Sequence, residues 1–418
     1  MKRPRMDAKA APPPPGVEFI ALVALTTSLV AMSIDTMLPA LGAMATELGA
    51  AHPNDRQLVL SAFFGGISVG QLVCGPVSDS IGRRPTLFWG IALFMAGTLV
   101  CTLTQSFGWL LVGRMLAGLG AAAPRIVSIA LVRDLYAGRG MARVMSFVST
   151  VFILVPVLAP SIGQGVLAVT SWRAIFGALL VIAAGDALWF WLRQDETLPA
   201  ERRKPFSAAG IARSTREVFA HPLTLGYMLA TGTTFGAFIA YLSTVQQLFQ
   251  EQYGLGKLFP VVFGLLASGI GAASFANGNL VMRFGMQKLS RVALICNCVL
   301  SLSAFVGAWL LQGHPPLGAL IGYMLVCFFF NGILFGNFNA RAMEPMGHIA
   351  GVAAAVTGSV SGAVALVIGT PFGRAYDGTA LPLIAGFMTC AFLSLGLTEW
   401  AERAARRRAL SAGTEDAA

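Results

Sequence analysis

The stretch GPVSDSIGRRP, residues 75–85, lies between two apolar runs that are each long enough to cross a bilayer. Its two glycines allow close packing and a tight turn, because glycine has no side chain beyond a hydrogen atom. Asp79 is placed near the end of the first run, and Arg83 and Arg84 are typical of a loop on the cytoplasmic side of a membrane. The sequence therefore predicts a short cytoplasmic loop between two membrane-spanning helices.

The composition of the whole chain also indicates a membrane protein. Hydrophobic residues make up 56% of the 418 residues, charged residues make up only 11%, and the mean hydropathy is +0.72. These values exclude a water-soluble domain with a polar shell. Twelve apolar stretches reach the roughly 20 residues that a helix needs to cross the hydrocarbon core. They run over residues 17–41, 57–78, 86–105, 109–136, 143–168, 172–192, 222–248, 258–282, 289–312, 317–340, 350–373 and 380–400.

The positions of lysine and arginine predict the orientation of these spans. If the N-terminus is cytoplasmic, all but six of the 29 basic residues fall in the tails or in cytoplasmic loops. Of the six, two lie within spans, Arg114 and Arg125. The positive-inside rule therefore predicts that both termini are cytoplasmic. Basic residues at helix ends can meet anionic lipid, which explains the net charge of +10 without a nucleic-acid partner.

A polar stretch divides the chain near its middle. Residues 193–221 are rich in charge and too polar to cross a membrane, so we expect a cytoplasmic linker there. The loop motif recurs weakly in the second half at Gly278 and Gly285, with Met282 in place of the acid. We therefore expect five parts. They are an N-terminal tail (1–16), a six-helix bundle (17–192), the linker (193–221), a second six-helix bundle (222–400) and a C-terminal tail (401–418).

The loop motif resembles the loop between the second and third helices of the major facilitator superfamily. Three further segments are similar to the first-, fourth- and fifth-helix motifs of its Bcr/CflA, or bicyclomycin-resistance, group: SIDTMLPAL (33–41), GRMLAGLGAAA (113–123) and VPVLAPSIG (155–163). WRAIF (172–176) and YDGTALPL (376–383) help to extend the resemblance over nearly the whole chain. The resemblance implies an all-α membrane protein whose 12 transmembrane helices form two pseudo-symmetric six-helix bundles, with substrate bound between them.

The resemblance also implies a function. It is that of a proton-driven exporter of small, mostly apolar drugs or toxic metabolites, which works by alternating access in the bacterial inner membrane. Two alternatives stay open: a proton-coupled symporter that takes up a metabolite, and a non-transporting sensor or scaffold. The expected partners are a drug-like small molecule, protons and membrane lipid; we expect a monomer, with no cofactor, metal or nucleic acid. The sequence contains no GxxxxGK[ST], HExxH or GxSxG motif, so we expect no enzyme.

Asp35 is the residue that we expect to carry the proton. A carboxylate inside an apolar helix costs several kcal/mol if it is unpaired, so it usually faces a cavity and either pairs or takes up a proton. Asp35 and Arg114 each lie about six residues from the outer end of their spans, and hence both lie ~9 Å deep. We expect the two side chains to meet and to form the proton-coupling site. A static ion pair between the first and fourth spans is the alternative.

Arg125 is a second arginine in the fourth span. It lies on the same face as Arg114, because residues eleven positions apart on a helix return to within ~20°. Pro124 beside it is expected to kink the helix and to free a carbonyl group. The sequence leaves two interpretations open: Arg125 contacts an anionic or carbonyl-rich substrate, or it pairs with Asp186 of the sixth span.

Polar side chains on the seventh and tenth spans are further candidates for substrate contact. Hydrogen bonding between helices is their alternative role, since polar groups in lipid need partners. These candidates are Gln246, Gln247, Asn331 and Asn337.

The resemblance assigns two more sets of residues to the transport mechanism. The loop motif implies a latch that holds the cytoplasmic side closed in one state, with the residues Gly75, Asp79, Gly82, Arg83 and Arg84. The fifth span carries a motif associated with antiporters, in which proline and glycine allow bending and close packing. Its residues are Pro156, Pro160 and Gly163.

Overall fold

The computed structural model describes residues 16–136, 138–203 and 205–415, which form helices joined by short turns without any strand. The helices are α1 Val17–Asp35, α2 Leu41–Glu47, α3 Leu58–Ile81, α4 Arg83–Leu103, α5 Phe107–Leu135, α6 Gly138–Val169, α7 Arg173–Arg193, α8 Ala208–Ala220, α9 Pro222–Gln246, α10 Phe259–Phe284, α11 Met286–Leu310, α12 Leu317–Met343, α13 Ala350–Arg374 and α14 Leu381–Glu415. We call α1 to α7 the N-half and α9 to α14 the C-half.

Twelve of these helices are long and apolar enough to span a membrane. Eleven stretches of the described chain qualify, and one of them, Leu317–Arg374, contains both α12 and α13. Within the described ranges, α2 and α8 are the two α-helices that are too short, with 7 and 13 residues. The predicted all-α membrane fold is therefore confirmed.

The first span differs from the prediction in one respect that matters for the site. We expected one helix over residues 17–41, but α1 ends at Asp35 and a short 3-10 helix, Leu38–Ala40, follows before α2. Pro39 lies at the start of that 3-10 helix, and proline cannot donate the backbone hydrogen bond that would continue α1. Asp35 is thus the last residue of a helix and not an interior one.

The linker also contains more structure than we predicted. Helix α8 begins after Ser207, whose hydroxyl accepts a hydrogen bond from the backbone N–H of Gly210 at 3.0 Å. Its buried residue, Val218, packs with Met228 and Val356 of the C-half. The division of the chain at residues 193–221 stays a prediction.

The two halves pack through two pairs of helices, α3 against α13 and α6 against α10. We call the end of the bundle that carries α2 the α2 end; residues 53–57 and 247–252 lie there too. The opposite end, with α8 and the loop around Gly82, is the α8 end. By the distribution of basic residues, the α8 end is the predicted cytoplasmic end.

The break after Asp35 is packed tightly against α6. A Cβ atom on Gly163 would lie only 1.8 Å from the carbonyl oxygen of Thr36, the residue that follows Asp35. Because no side chain fits in that space, Gly163 is required for the close approach of α6 to the end of α1. The predicted motif glycine therefore has a steric role beside Asp35.

We expect Gly163→Ala to lower the melting temperature of the purified protein, because the added Cβ must displace the carbonyl group of Thr36. Overpacking of this kind costs about 1–3 kcal/mol. Thermal unfolding in detergent measures the change. Gly165→Ala is the matched control, since a Cβ on Gly165 meets nothing within 4 Å. Equal melting temperatures for the two variants would contradict the close approach.

Candidate functional site

Asp35 lies at the centre of the candidate site and is 5% exposed. Among the described residues its carboxyl group has no hydrogen-bond or ion-pair partner. An ionised carboxylate in such surroundings needs water, a cation or a proton. The carboxyl group can therefore serve as a site for a proton that comes and goes.

Arg114, in α5, is completely buried, and it binds the chain just before Asp35. Its Nη1 donates to the Oγ of Ser33 at 3.1 Å, and its Nη2 donates to the carbonyl oxygen of Ser33 at 3.2 Å. Its Nε donates to the carbonyl oxygen of Val59 at 3.4 Å, and its guanidinium carbon lies 4.1 Å from the centre of the Phe63 ring. These contacts use three of the five N–H donors of the guanidinium, and none of the three goes to Asp35. The predicted ion pair between Asp35 and Arg114 is not formed in the described structure.

Tyr241, in α9, is a polar residue of the C-half near Asp35. It is 1% exposed, and the carboxyl group of Asp35 lies within electrostatic range of its hydroxyl. The hydroxyl has no hydrogen-bond partner among the described residues. Its ring packs against Phe263 and Phe328, with ring centres 5.8 and 4.8 Å apart. The packed ring thus holds a hydroxyl that has no described partner within electrostatic range of Asp35.

Phenylalanines continue from Tyr241 along the inner surface of the C-half. Phe235 lies with its ring centre 5.8 Å from Phe238 and 6.1 Å from Phe335, and all three are half-buried. Phe64 of the N-half meets Phe235 at 5.6 Å, so this surface lies where the two halves meet. We call these four residues the aromatic wall. An apolar molecule between the halves can pack on it.

Arg125 lies further along α5, toward the α8 end. Its side chain is exposed and is not packed in the core. Among the described residues it has no hydrogen-bond or ion-pair partner. Asp186 is completely buried and accepts a hydrogen bond from the Oγ1 of Thr26 at 2.9 Å. The structure therefore does not form the pair between Arg125 and Asp186, which was one of the two interpretations of Arg125.

The other candidates for substrate contact make hydrogen bonds between helices or with neighbouring loops. Asn331 accepts from Asn297 at 3.0 Å, and Asn337 exchanges hydrogen bonds with Asn277 at 3.0 and 3.1 Å. These contacts favour the alternative role that the sequence left open for Asn331 and Asn337. Gln246 and Gln247 also have partners, in a cluster at the α2 end.

A polar cluster joins the halves at the α2 end, and we call it the clasp. Arg56 forms an ion pair with Glu251 at 2.6 Å, and Arg374 forms one with Asp55 at 3.0 Å. Gln247 accepts a hydrogen bond from Gln57 at 3.0 Å and donates one to Asn54 at 2.8 Å, and Gln246 lies 3.5 Å from Arg56. The clasp consists of Asn54, Asp55, Arg56, Gln57, Gln246, Gln247, Glu251 and Arg374.

Sequence reasoning missed the clasp. Arg56 and Arg374 are two of the six basic residues that the predicted orientation leaves outside the tails and cytoplasmic loops, and the loops that face them carry Glu251 and Asp55. Opposite charges in these outer loops, which otherwise carry few charges, could have predicted the ion pairs. Beside the clasp, burial and the charge of Glu251 raise the pKa of Tyr376 to about 12, so its hydroxyl stays protonated.

The loop motif at the α8 end forms a network within the N-half. Arg83 binds Asp79 at 2.5 Å and Asp134 at 2.8 Å. Glu196 accepts hydrogen bonds from the backbone N–H groups of Arg83 and Arg84, at 2.9 and 3.0 Å, and so caps the start of α4. Gly82 has a φ of +114°, a conformation that suits glycine. The predicted contact of Asp79 with an arginine is thus present.

The C-half approaches this network at one helix end. A Cβ atom on Gly351, near the start of α13, would lie 3.9 Å from the Oδ2 of Asp79. A carboxylate beside a helix N-terminus is favourable, since the helix dipole is positive there. The described ion pairs of Arg83 and Arg341 at the α8 end stay within one half, whereas those of Arg56 and Arg374 join the halves. This conformation is therefore held together by charge at the α2 end.

Twelve spanning helices in two packed halves, with an unpaired carboxyl group between them, define a membrane transporter of the type that binds its substrate between two bundles. Residues 23–370 match the sequence model of the Major Facilitator Superfamily. The chain belongs to this superfamily. The family and its relatives are transporters, which confirms the prediction that the chain is not an enzyme.

Curated relatives cover nearly the whole chain. An uncharacterized MFS-type transporter of Bacillus subtilis is 31% identical over 92% of this chain and 97% of its own length. The bicyclomycin resistance protein homolog of Haemophilus influenzae is 30% identical over 90% of this chain and 94% of its own length. The multidrug resistance protein MdtL of Escherichia fergusonii is 27% identical over 78% and 80%. These relatives support the resemblance to the bicyclomycin-resistance group.

Two solved structures share the fold. The human organic anion transporter TETRAN has a TM-score of 0.67 at 19% identity, with 93% of this chain and 100% of that chain covered. The xylose transporter XylE of E. coli, in a partially occluded inward open conformation, has a TM-score of 0.67 at 13% identity, with 90% and 95% covered. At these identities the likeness shows the fold alone.

We expect charge reversal in the clasp, Arg56→Glu, to open the α2 end, because residue 56 will then repel Glu251. A cysteine in place of Ser61, whose hydroxyl lies 3.0 Å from that of Thr370 across the interface, reports the opening. Its labelling by a membrane-impermeant thiol reagent should rise several-fold. The swap Arg56→Glu with Glu251→Arg should return the labelling toward the original level.

The matched control for the clasp is Arg173→Glu. Arg173 pairs with Glu47, which is also near the α2 end but in the same half. Its reversal removes an ion pair without separating the halves, so labelling at position 61 should stay low. Equal labelling in Arg56→Glu and Arg173→Glu would show that the clasp does not hold the α2 end closed.

Proposed function

We propose that this transporter exports small, mostly apolar drugs or toxic metabolites across the bacterial inner membrane in exchange for protons, by alternating access. The observation that carries the proposal is the buried, unpaired carboxyl group of Asp35 between the halves. The names of the relatives, a bicyclomycin resistance protein homolog and a multidrug resistance protein, support export of drugs. We propose that the protein works as a monomer with both termini in the cytoplasm.

Asp35 carries the proton in this proposal. A protonated carboxyl group is neutral and tolerates burial, whereas the ionised form needs water or a cation beside it. A conformational change that brings water or Arg114 to Asp35 then releases the proton. Arg114 is bound to Ser33, which is only two residues before Asp35 along the chain. This position supports such a change, because the guanidinium would exchange its hydrogen bonds with Ser33 for a contact with the carboxyl group of Asp35.

The closed clasp is the basis for assigning the described conformation to a state of the transport cycle. If the α2 end is the outer end, as the basic residues predict, the halves are joined on the outside. Arg125 is accessible on the side of the α8 end, which supports a cavity that faces the cytoplasm. A drug then reaches the aromatic wall from the cytoplasm, and opening of the clasp releases it outside.

The aromatic wall favours an apolar substrate over a sugar-like metabolite. Its described side chains offer aromatic rings and no hydrogen-bonding groups, whereas a polyhydroxylated substrate needs many such groups. Uptake by symport is the alternative with the same proton site. The direction of substrate movement relative to the proton gradient separates the two functions.

We expect Asp35→Asn to abolish transport driven by a pH gradient while the protein stays inserted and folded, because an amide has a similar shape but cannot cycle a proton. Drug accumulation in everted membrane vesicles with an imposed pH gradient measures the effect. Melting temperature and expression level are the controls for folding. Undiminished uphill transport by Asp35→Asn would remove Asp35 from the coupling role.

We also expect the hydroxyl of Tyr241 to pair with Asp35 during the cycle. Tyr241→Phe keeps the ring packing and removes only that hydroxyl, so the pH profile of transport should shift while the melting temperature is kept. Tyr323→Phe is the matched control, since the buried hydroxyl of Tyr323 donates to Ser301 at 3.1 Å, away from Asp35. A pH profile of Tyr241→Phe identical to that of Tyr323→Phe would exclude the pairing.

A further inference from the structure

Arg125 is a guanidinium group in a membrane-spanning helix that makes no polar contact among the described residues. Arg114, on the same helix, uses three donors on Ser33 and Val59. A cation without a partner in a membrane protein is costly, so such residues face water and mark substrate or ion pathways. Asp186, the acid that we considered as its partner, is buried and bonded to Thr26.

The side chain of Arg125 points toward the interior of the protein and not toward lipid. We assign to lipid the side of α5 that carries the exposed apolar side chains Val112 and Met115, which are 52% and 51% exposed. At 3.6 residues per turn, Arg125 lies roughly 100° away from that side and within ~20° of the buried Arg114. It is also about ten residues, or ~15 Å, from the end of α5, which is too deep to reach lipid headgroups.

The aromatic wall lies within reach of a molecule that is bound at Arg125. Gly118 of α5 packs against the backbone of Phe63, the neighbour of Phe64 in the wall. Arg125 is about seven residues beyond Gly118, and hence ~10 Å nearer to the α8 end. The cavity therefore offers an apolar surface at the level of Phe64 and an unpaired cation ~10 Å nearer to the α8 end.

We propose that Arg125 is an anion-binding subsite of the cavity, and that the substrates include amphipathic organic anions. The apolar body of such a molecule packs on the aromatic wall and its carboxylate binds the guanidinium, which can donate two parallel hydrogen bonds to it. The proposal rests on the export function in that it assumes a substrate between the halves. It does not depend on Asp35 or on the direction of transport.

The test is the affinity of the purified full chain in detergent for matched pairs of naphthyl carboxylic acids and their primary amides, with one to four methylene groups between ring and carboxyl group. The pairs differ in charge but not in shape. Isothermal titration calorimetry should show at least one acid binding about tenfold more tightly than its amide, as expected for a hydrogen bond to a charged group. Arg125→Gln should remove this preference, and Arg125→Lys should keep part of it.

Several outcomes would overturn the proposal. One is that no acid of the series binds more tightly than its amide, and another is a preference that survives in Arg125→Gln. A third outcome is that Arg125 has a structural role and not a binding role. In that case Arg125→Gln lowers the melting temperature, and adding Asp186→Asn restores it. If the acid preference is found but Asp35→Asn still transports uphill, the subsite stands and the proposed proton coupling fails.

A second measurement tests the position of the side chain. A cysteine at position 125 in proteoliposomes should react with a charged thiol reagent, because the cavity is open to water. A cysteine in place of Met115 is the matched control, since that position faces lipid and a charged reagent does not enter hydrocarbon. Equal lack of reaction at both positions would show that Arg125 does not line an aqueous cavity.

Discussion

The burial of one carboxyl group that has no partner among the described residues is the constraint on which the rest of the site depends. Three elements fix the chain around Asp35. Pro39 prevents α1 from continuing, Gly163 lets α6 touch the carbonyl group of Thr36, and Arg114 binds Ser33 on the other side. None of the three satisfies the side chain of Asp35 itself. The backbone is therefore fixed around Asp35, and the energy of its carboxyl group depends on what the C-half and water bring to it.

The two ends of the bundle are stabilised in different ways, and the difference suits a protein that must open each end in turn. At the α2 end the ion pairs cross between halves, but Glu251 and Arg374 are each 49% exposed on their side chains. Each pair joins one half-exposed partner to a mostly buried one, since the Arg56 and Asp55 side chains are only 9% and 11% exposed. Water at the exposed partner screens both pairs, which favours opening of the clasp. At the α8 end Arg83 is 4% exposed and its two acids belong to its own half. That network fixes the loop and leaves the halves free to separate.

The sequence predicted the features that depend on composition and on short motifs. These are the twelve spans, the loop around Asp79 and the close packing at Gly163. It placed Asp35 and Arg114 at similar depths, but depth does not give the rotation of a helix, and Arg114 turned out to bind Ser33. The aromatic wall could not be selected from 28 phenylalanines, because phenylalanines that face lipid and those that face a cavity have the same composition signal. The clasp joins residues up to 320 positions apart, which no local pattern reveals.

The contrast between the two arginines of α5 has a consequence for the energetics of transport. In the described structure Arg114 binds Ser33 and Val59, whereas Arg125 has no partner among the described residues and adds a positive charge to the proposed cavity. A cavity of this kind attracts anions, and the charge of the substrate then sets the driving force. Export of a neutral drug for one proton moves one charge inward, and a membrane potential of 100 mV contributes about 2.3 kcal/mol. Export of a monoanion for one proton moves two charges, so the same potential contributes about 4.6 kcal/mol. A free arginine in a proton-coupled exporter therefore favours the substrates that the membrane potential itself helps to expel.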